Sequence, residues 1–197
     1  MANSIKDPIS VSIIGGSGYT GAELIRLISK HPHFELNQVA ANRNAGKKIQ
    51  DIFPHLRHLN IPYFINLEEM NFDNVDLIFC ALPHATSQEI IVRIPEGKKI
   101  IDLSADFRLE QVEEYERWYG SKHIAHSLQE KAVYGLTEIY KEKIKKGSLI
   151  ACTGCNSAAS LYPVLPLLNE GIINSDSLII NLGAGVSGAW RDAKQNI

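Results

Sequence analysis

Three groups of residues in this 197-residue chain have the types and spacing to do chemistry. The first is Gly15, Gly18 and Gly21, three residues apart. Between an apolar strand and a helix, such a triplet binds a dinucleotide. Gly15 makes a tight turn, Gly18 admits the backbone close to a pyrophosphate, and Gly21 lets the helix pack against the strand. The N–H groups of the helix's first turn then face the anion. An ordinary glycine-rich turn that binds nothing is the other reading of the same residues. The second group is basic: Arg43, with Lys47 and Lys48 close by. In an NAD site an Asp or Glu that bonds the ribose stands about twenty residues beyond the glycines. Residues 40–48 hold no carboxylate. A guanidinium matches a 2′-phosphate through two parallel hydrogen bonds, so NADP is favoured over NAD. A solvated basic loop is the alternative. The third is Cys155, within Cys152-Thr153-Gly154-Cys155. A thiol between a strand and a helix feels the positive end of the helix dipole, which lowers its pKa and suits a nucleophile. The spacing Cys152-x-x-Cys155 also fits a redox pair or half a zinc site. A buried structural thiol is the commoner fate of a cysteine. The zinc reading lacks its other half. Cys80 is remote, and the pairs His31/His33, His55/His58 and His123/His126 come with no cysteines, so no metal is expected.

These groups need a frame. Apolar runs predict strands at 11–14, 34–41, 75–82, 99–103, 148–152 and 178–182. Helical spacing of Ala22, Leu24, Ile25, Leu27 and Ile28 predicts a helix directly after Gly21, with further helices at 86–93 and 109–119. A helix at 161–168 is weakened by Pro163 and Pro166. Strands alternating with helices predict a doubly wound parallel sheet. The change of domain is expected near Cys155, giving a nucleotide-binding domain at 1–154 and the beginning of a second at 155–197. A formal net charge of −2 supplies no broad field for nucleic acid or an anionic membrane, so any anion needs a local site. The N-terminal ten residues carry no signal peptide, and no apolar run approaches a membrane span. Three cysteines without a framework suggest reduced thiols and a cytoplasmic setting.

Longer motifs carry a family likeness. They are Gly15-Gly16-Ser17-Gly18-Tyr19-Thr20-Gly21, Ala81-Leu82-Pro83-His84, the eight residues Asp102 to Leu109, Tyr134-Gly135-Leu136, Gly154-Cys155, and Gly185-Val186-Ser187-Gly188-Ala189. On these the chain resembles the N-acetyl-γ-glutamyl-phosphate reductases of arginine biosynthesis. The related aspartate-semialdehyde dehydrogenases share the glycine turn and a cysteine nucleophile, but not the Ser17–Gly21 and Asp102–Leu109 stretches. The resemblance implies a Rossmann NADP-binding domain followed by an α+β substrate and dimerisation domain. It implies a homo-oligomer that reduces N-acetyl-γ-glutamyl phosphate to the semialdehyde through a thioester on Cys155. It places the cofactor at Gly15, Ser17, Gly18, Tyr19, Thr20, Gly21, Asn42, Arg43, Leu82 and Pro83, and the substrate at Ser104, Arg108, Asn156, Ser187 and Gly188. An ion pair of Arg108 with Asp106 or Glu110 is the competing reading of that arginine. The sequence also departs from the family. Thr153 replaces a proline, Asn156 an aromatic residue and Trp190 a glycine. The family's catalytic histidine has no counterpart up to Ile197, and His84 belongs to the cofactor-domain loop. Cofactor binding without efficient turnover is therefore expected of these 197 residues. Another acyl-phosphate reductase, acting on aspartyl or carrier-bound aminoadipyl phosphate, and a non-catalytic NADP-binding module are the alternatives.

Overall fold

The computed structural model describes residues 7–185. Seven strands, Ile9–Ile14 (β1), Phe34–Ala40 (β2), Phe64–Ile65 (β3), Leu77–Cys80 (β4), Lys99–Asp102 (β5), Ala132–Gly135 (β6) and Leu149–Cys152 (β7), form one sheet. Their order is β3-β2-β1-β4-β5-β7-β6, and every pair is parallel. The helices are Tyr19–Ile28 (α1), Ile49–Ile52 (α2), Ser87–Ile91 (α3), Val112–Tyr119 (α4), His126–Gln129 (α5), Thr137–Lys146 (α6) and Cys155–Asn169 (α7).

β1 is the hinge of the topology. From it the chain winds outward through β2 and β3, then returns to β4 and winds the other way. The order therefore reverses between β1 and β4, and the crevice at the C-terminal ends of those two strands is where such sheets bind ligands. β1 is central because it is apolar on both faces. Val11 and Ile13 join Ala22 and Ile25 of α1 on one side, while Ile14 packs with Ile78, Cys80 and Ile100 on the other. Successive side chains of a strand point to opposite faces, so a strand covered on both sides buries consecutive positions, and here even Ser12, between Val11 and Ile13, is fully buried.

Several expectations change. Neither β3 nor β6 is predicted by the apolar pattern: β3 has only two residues, and β6, Ala132-Val133-Tyr134-Gly135, is a half-buried edge strand with little apolar run. The apolar run 178–182 does not form the expected strand. Ile179 is 88% exposed, and the run pairs with none of the seven strands. Apolar residues make a strand only where a ladder receives their backbone groups. Pro163 and Pro166 do not interrupt α7, which continues to Asn169. It ends instead at Gly171, whose φ of +65° lets Ile172 N–H donate to the Leu167 carbonyl at 2.9 Å and Gly171 N–H to that of Leu168 at 3.0 Å. This is a Schellman closure.

Candidate active site

A cleft of about 870 Å³ opens at the C-terminal ends of β1 and β4. Gly15, Ser17, Gly18, Tyr19, Thr20, Asn42, Arg43, Leu82, Pro83, Arg108 and Cys155 all line it. Residues far apart in sequence are thus gathered at one switch point.

The glycines divide by what a side chain would meet. A Cβ at Gly15 would stand 2.4 Å from the Ala81 carbonyl oxygen, and the residue's φ is +84°. At Gly16 it would meet Val39 Cγ1 at 2.2 Å, and at Gly21 the Gly16 oxygen at 2.3 Å. These glycines let the turn close and α1 press onto it. Gly21 does not line the cleft, so its place is in packing. Gly18 differs. Its φ of −85° and ψ of 176° suit any residue, and a Cβ there would meet nothing within 4 Å. Nothing in the protein requires glycine at 18, so the space it leaves belongs to the cleft. Gly18 is also the N-cap of α1, with no side chain capping the helix. The first bond within the helix is Ala22 N–H to Gly18 O at 3.0 Å. The N–H groups ahead of it form an anion site of the kind a pyrophosphate fits.

Asn42 and Arg43 follow β2 in a single 3₁₀ turn, Asn42–Asn44. The Asn42 Oδ1 accepts from Leu67 N–H at 2.8 Å, which ties the rim down. Among the described residues Arg43 has no ion pair. Its guanidinium is exposed at the cleft. Lys47 turns back to Asn44 Oδ1 at 3.1 Å.

At the other end, Cys155 is the first residue of α7 and is exposed, its Sγ 3.8 Å from Asn156 Oδ1. The other thiols are suppressed. Burial, aided by the charge of Asp102, pushes Cys152 up to about 11 and raises the fully buried Cys80 well above its ordinary value. Arg108 makes no ion pair with Asp106 or Glu110. Its Nε donates to the Cys152 carbonyl at 2.7 Å and its Nη2 to that of Leu103 at 2.8 Å. This clamp bridges the loops after β7 and β5. A Cβ at Gly154 would stand 3.2 Å from Nη1, so the guanidinium edge lies beside the turn that carries Cys155.

One expected substrate residue lies away from the cleft. Ser104 is fully buried and does not line the cleft. Its Oγ donates to Asp102 Oδ2 at 2.6 Å and accepts from Asp106 N–H at 3.0 Å, so the hydroxyl is spent inside the protein. Asn156 is exposed next to Cys155 but outside the lining. Ser187 and Gly188 fall outside the described residues. His84, assigned from the sequence to the cofactor-domain loop, lines the cleft. Its Nδ1 accepts from Ala105 N–H at 2.9 Å, and burial with the charge of Arg108 lowers its pKa. Its position four residues beyond the end of β4, beside the switch point, was the available signal.

A doubly wound parallel sheet with a glycine turn at its switch point and an accessible thiol in the same cleft defines a nucleotide-binding α/β domain. Residues 10–147 match the family model for the semialdehyde dehydrogenase NAD binding domain, and the chain belongs to that family. Relatives named N-acetyl-gamma-glutamyl-phosphate reductase are 51% identical over 187 residues in Rhodobacter capsulatus and 52% over 188 in Cereibacter sphaeroides. Each alignment covers 95% of this chain and 55% of the relative, so the chain spans about half their length. Among solved structures, aspartate semialdehyde dehydrogenase with NADP from Candida albicans is 21% identical, with a TM-score of 0.58 over 83% of this chain and 48% of that one. Aspartate semialdehyde dehydrogenase II complexed with ASA from Vibrio cholerae has a TM-score of 0.60 at 16% identity, over 83% and 47%. Both share the fold. No described helix is long and apolar enough to cross a membrane.

Proposed function

We propose that this chain is the cofactor-binding part of an NADP-dependent N-acetyl-γ-glutamyl-phosphate reductase of arginine biosynthesis. The observation that carries the reading is one cleft with an uncapped helix N-terminus at Gly18 and an exposed thiol at Cys155. The identity of about half the residues to relatives of that name supports the substrate. Residues 1–154 then hold the cofactor and residues 155–197 begin the substrate domain, in keeping with a family match that ends at 147. The intact enzyme is a cytoplasmic homo-oligomer.

The chemistry follows from the cleft. The first turn of α1 holds the pyrophosphate, and Arg43 takes the 2′-phosphate. Leu82 and Pro83 wall the cleft at the end of β4. The Cys155 thiolate attacks the acyl-phosphate carbonyl carbon. The carbon–oxygen bond to phosphate breaks, phosphate leaves, and a thioester remains on Sγ. Backbone N–H groups at the start of α7 are placed to stabilise the oxyanion. Arg108 lies beside them with donors suited to the departing phosphate. When bound, NADPH supplies the hydride that reduces the thioester to the semialdehyde, releasing the Cys155 thiolate.

Cofactor fluorescence titration tests the reading on the chain itself. NADPH binding tighter than NADH is expected, and no NADPH binding would overturn it. On the intact enzyme, phosphate-dependent NADP reduction with N-acetylglutamate semialdehyde, set against aspartate semialdehyde, tests the substrate. A preference for the aspartate compound would favour the other acyl-phosphate reductase.

A further inference from the structure

We propose that Asp106, which does not touch the cleft, is the positioning residue that sets the cleft rim at residues 83–86 and so presents His84 and Pro83 to the cofactor. Ala85 has a φ of +64°, the one positive value at a non-glycine among the described residues. It is the third residue of a turn closed by Thr86 N–H to the Pro83 carbonyl at 3.3 Å, a position where positive φ ordinarily selects glycine. Alanine stays in that conformation only where its surroundings impose it.

Asp106 imposes it. Its Oδ1 accepts from Ala85 N–H at 2.7 Å and its Oδ2 from Gln88 N–H at 3.0 Å, so one carboxyl group spans the turn and the start of α3. The residue before it works in concert, since Ala105 N–H donates to His84 Nδ1 at 2.9 Å. That bond assigns the ring proton to Nε2. Asp106 is itself held from behind. Its N–H donates to Ser104 Oγ at 3.0 Å, its carbonyl meets His123 Nε2 at 2.9 Å, and Tyr115 Oη–H donates to Oδ1 at 2.9 Å. Asp106 has no ion pair among the described residues and is fully buried. Burying a carboxyl without a counter-ion is costly, and a role in packing alone is served as well by an apolar residue. What the carboxyl adds is two acceptors aimed at a strained turn. His84, Pro83 and Thr86 of that turn all line the cleft.

The proposal deepens the cofactor reading and rests on it only for its binding arm. Asparagine at 106 presents one acceptor and one NH₂ group, so one of the two N–H donors loses its partner. The test compares Asp106→Asn, Ala85→Val and the pair Asp106→Asn with Ala85→Gly. Amide hydrogen exchange at Ala85 and Gln88 and the NADPH dissociation constant are read in each. Asp106→Asn should speed exchange at Ala85 or Gln88 and weaken NADPH about tenfold, the change expected when one hydrogen bond to a charged group is lost. Ala85→Gly in the same chain should restore NADPH binding, because glycine holds positive φ unaided. A merely structural role would not be rescued in this way. Ala85→Val leaves Asp106 intact, makes positive φ harder to hold, and should weaken binding in a folded protein. Unchanged exchange in Asp106→Asn, failure of the glycine rescue, or parent-like binding by Ala85→Val would overturn the proposal. Failure of the parent to bind NADPH would refute the cofactor reading, while the exchange arm would still decide the role of Asp106.

Discussion

Gly18→Val separates a glycine kept for a ligand from glycines kept for the fold. The backbone at 18 suits valine, and its Cβ meets no protein atom within 4 Å. Replacing an N-cap glycine by an apolar residue costs roughly 0.5–1 kcal/mol. The stiffer unfolded chain returns about 0.4–1 kcal/mol. The apo melting temperature should therefore stay within about 3 °C of the parent's. The cofactor behaves differently. Valine fills the approach of a pyrophosphate to the first turn of α1. Losing two charge-assisted bonds there costs roughly 3–6 kcal/mol, a hundredfold or more in affinity. At NADPH set to about a hundred times the parent's dissociation constant, the parent gains about 2.7 kcal/mol, or roughly 5–11 °C in melting temperature. At the same concentration the variant should gain about 1 °C. Gly21→Ala is the contrasting case. Its Cβ would stand 2.3 Å from the Gly16 oxygen, so it should lower the apo melting temperature itself. A thermal scan with and without NADPH reads both. A ligand shift retained by Gly18→Val, or an apo loss as large as that of Gly21→Ala, would refute the reasoning.

Arg43→Ala should weaken NADPH by about 1.5–3 kcal/mol and leave NADH unchanged, measured by fluorescence titration, because Arg43 is an exposed cation with no ion pair among the described residues. Brief alkylation near neutral pH followed by peptide mass spectrometry should label Cys155 first. Cys152, pushed up to about 11, should remain unlabelled until strongly alkaline pH, and first labelling of Cys152 would reverse the assignment. Asp102 offers a pH test. Burial raises its pKa above the ordinary 3.8, so its contribution to stability is complete below that value and is lost as pH rises through the folded value. Asp102→Asn should remove that loss, which urea midpoints taken from pH 4 to 7 would show as a flatter profile.

Much of this protein is legible in its sequence. β1, α1 and the glycine turn are contiguous, and their apolar periods of two and 3.6 are local properties that neighbours reinforce and do not create. The missing carboxylate and present guanidinium at 42–43 are likewise a matter of composition at a known distance from the turn. Cys155 falls between β7 and α7 because strands and helices alternate. Tertiary structure decided the rest. Only packing distinguishes Gly18 from Gly15, Gly16 and Gly21, since the distinction lies in what a missing Cβ would touch. Only burial sorts the three thiols. Within 102–109, Ser104 and Asp106 are buried while Arg108 lines the cleft, and Asp106 finds its partners at 85, 88, 115 and 123, which only the fold brings near. β6 takes the sheet edge beyond β7 although it comes first in the chain. Local propensity determines which residues make an element, but burial and hydrogen-bond satisfaction are set by residues distant in sequence, and those terms decide what each side chain is free to do.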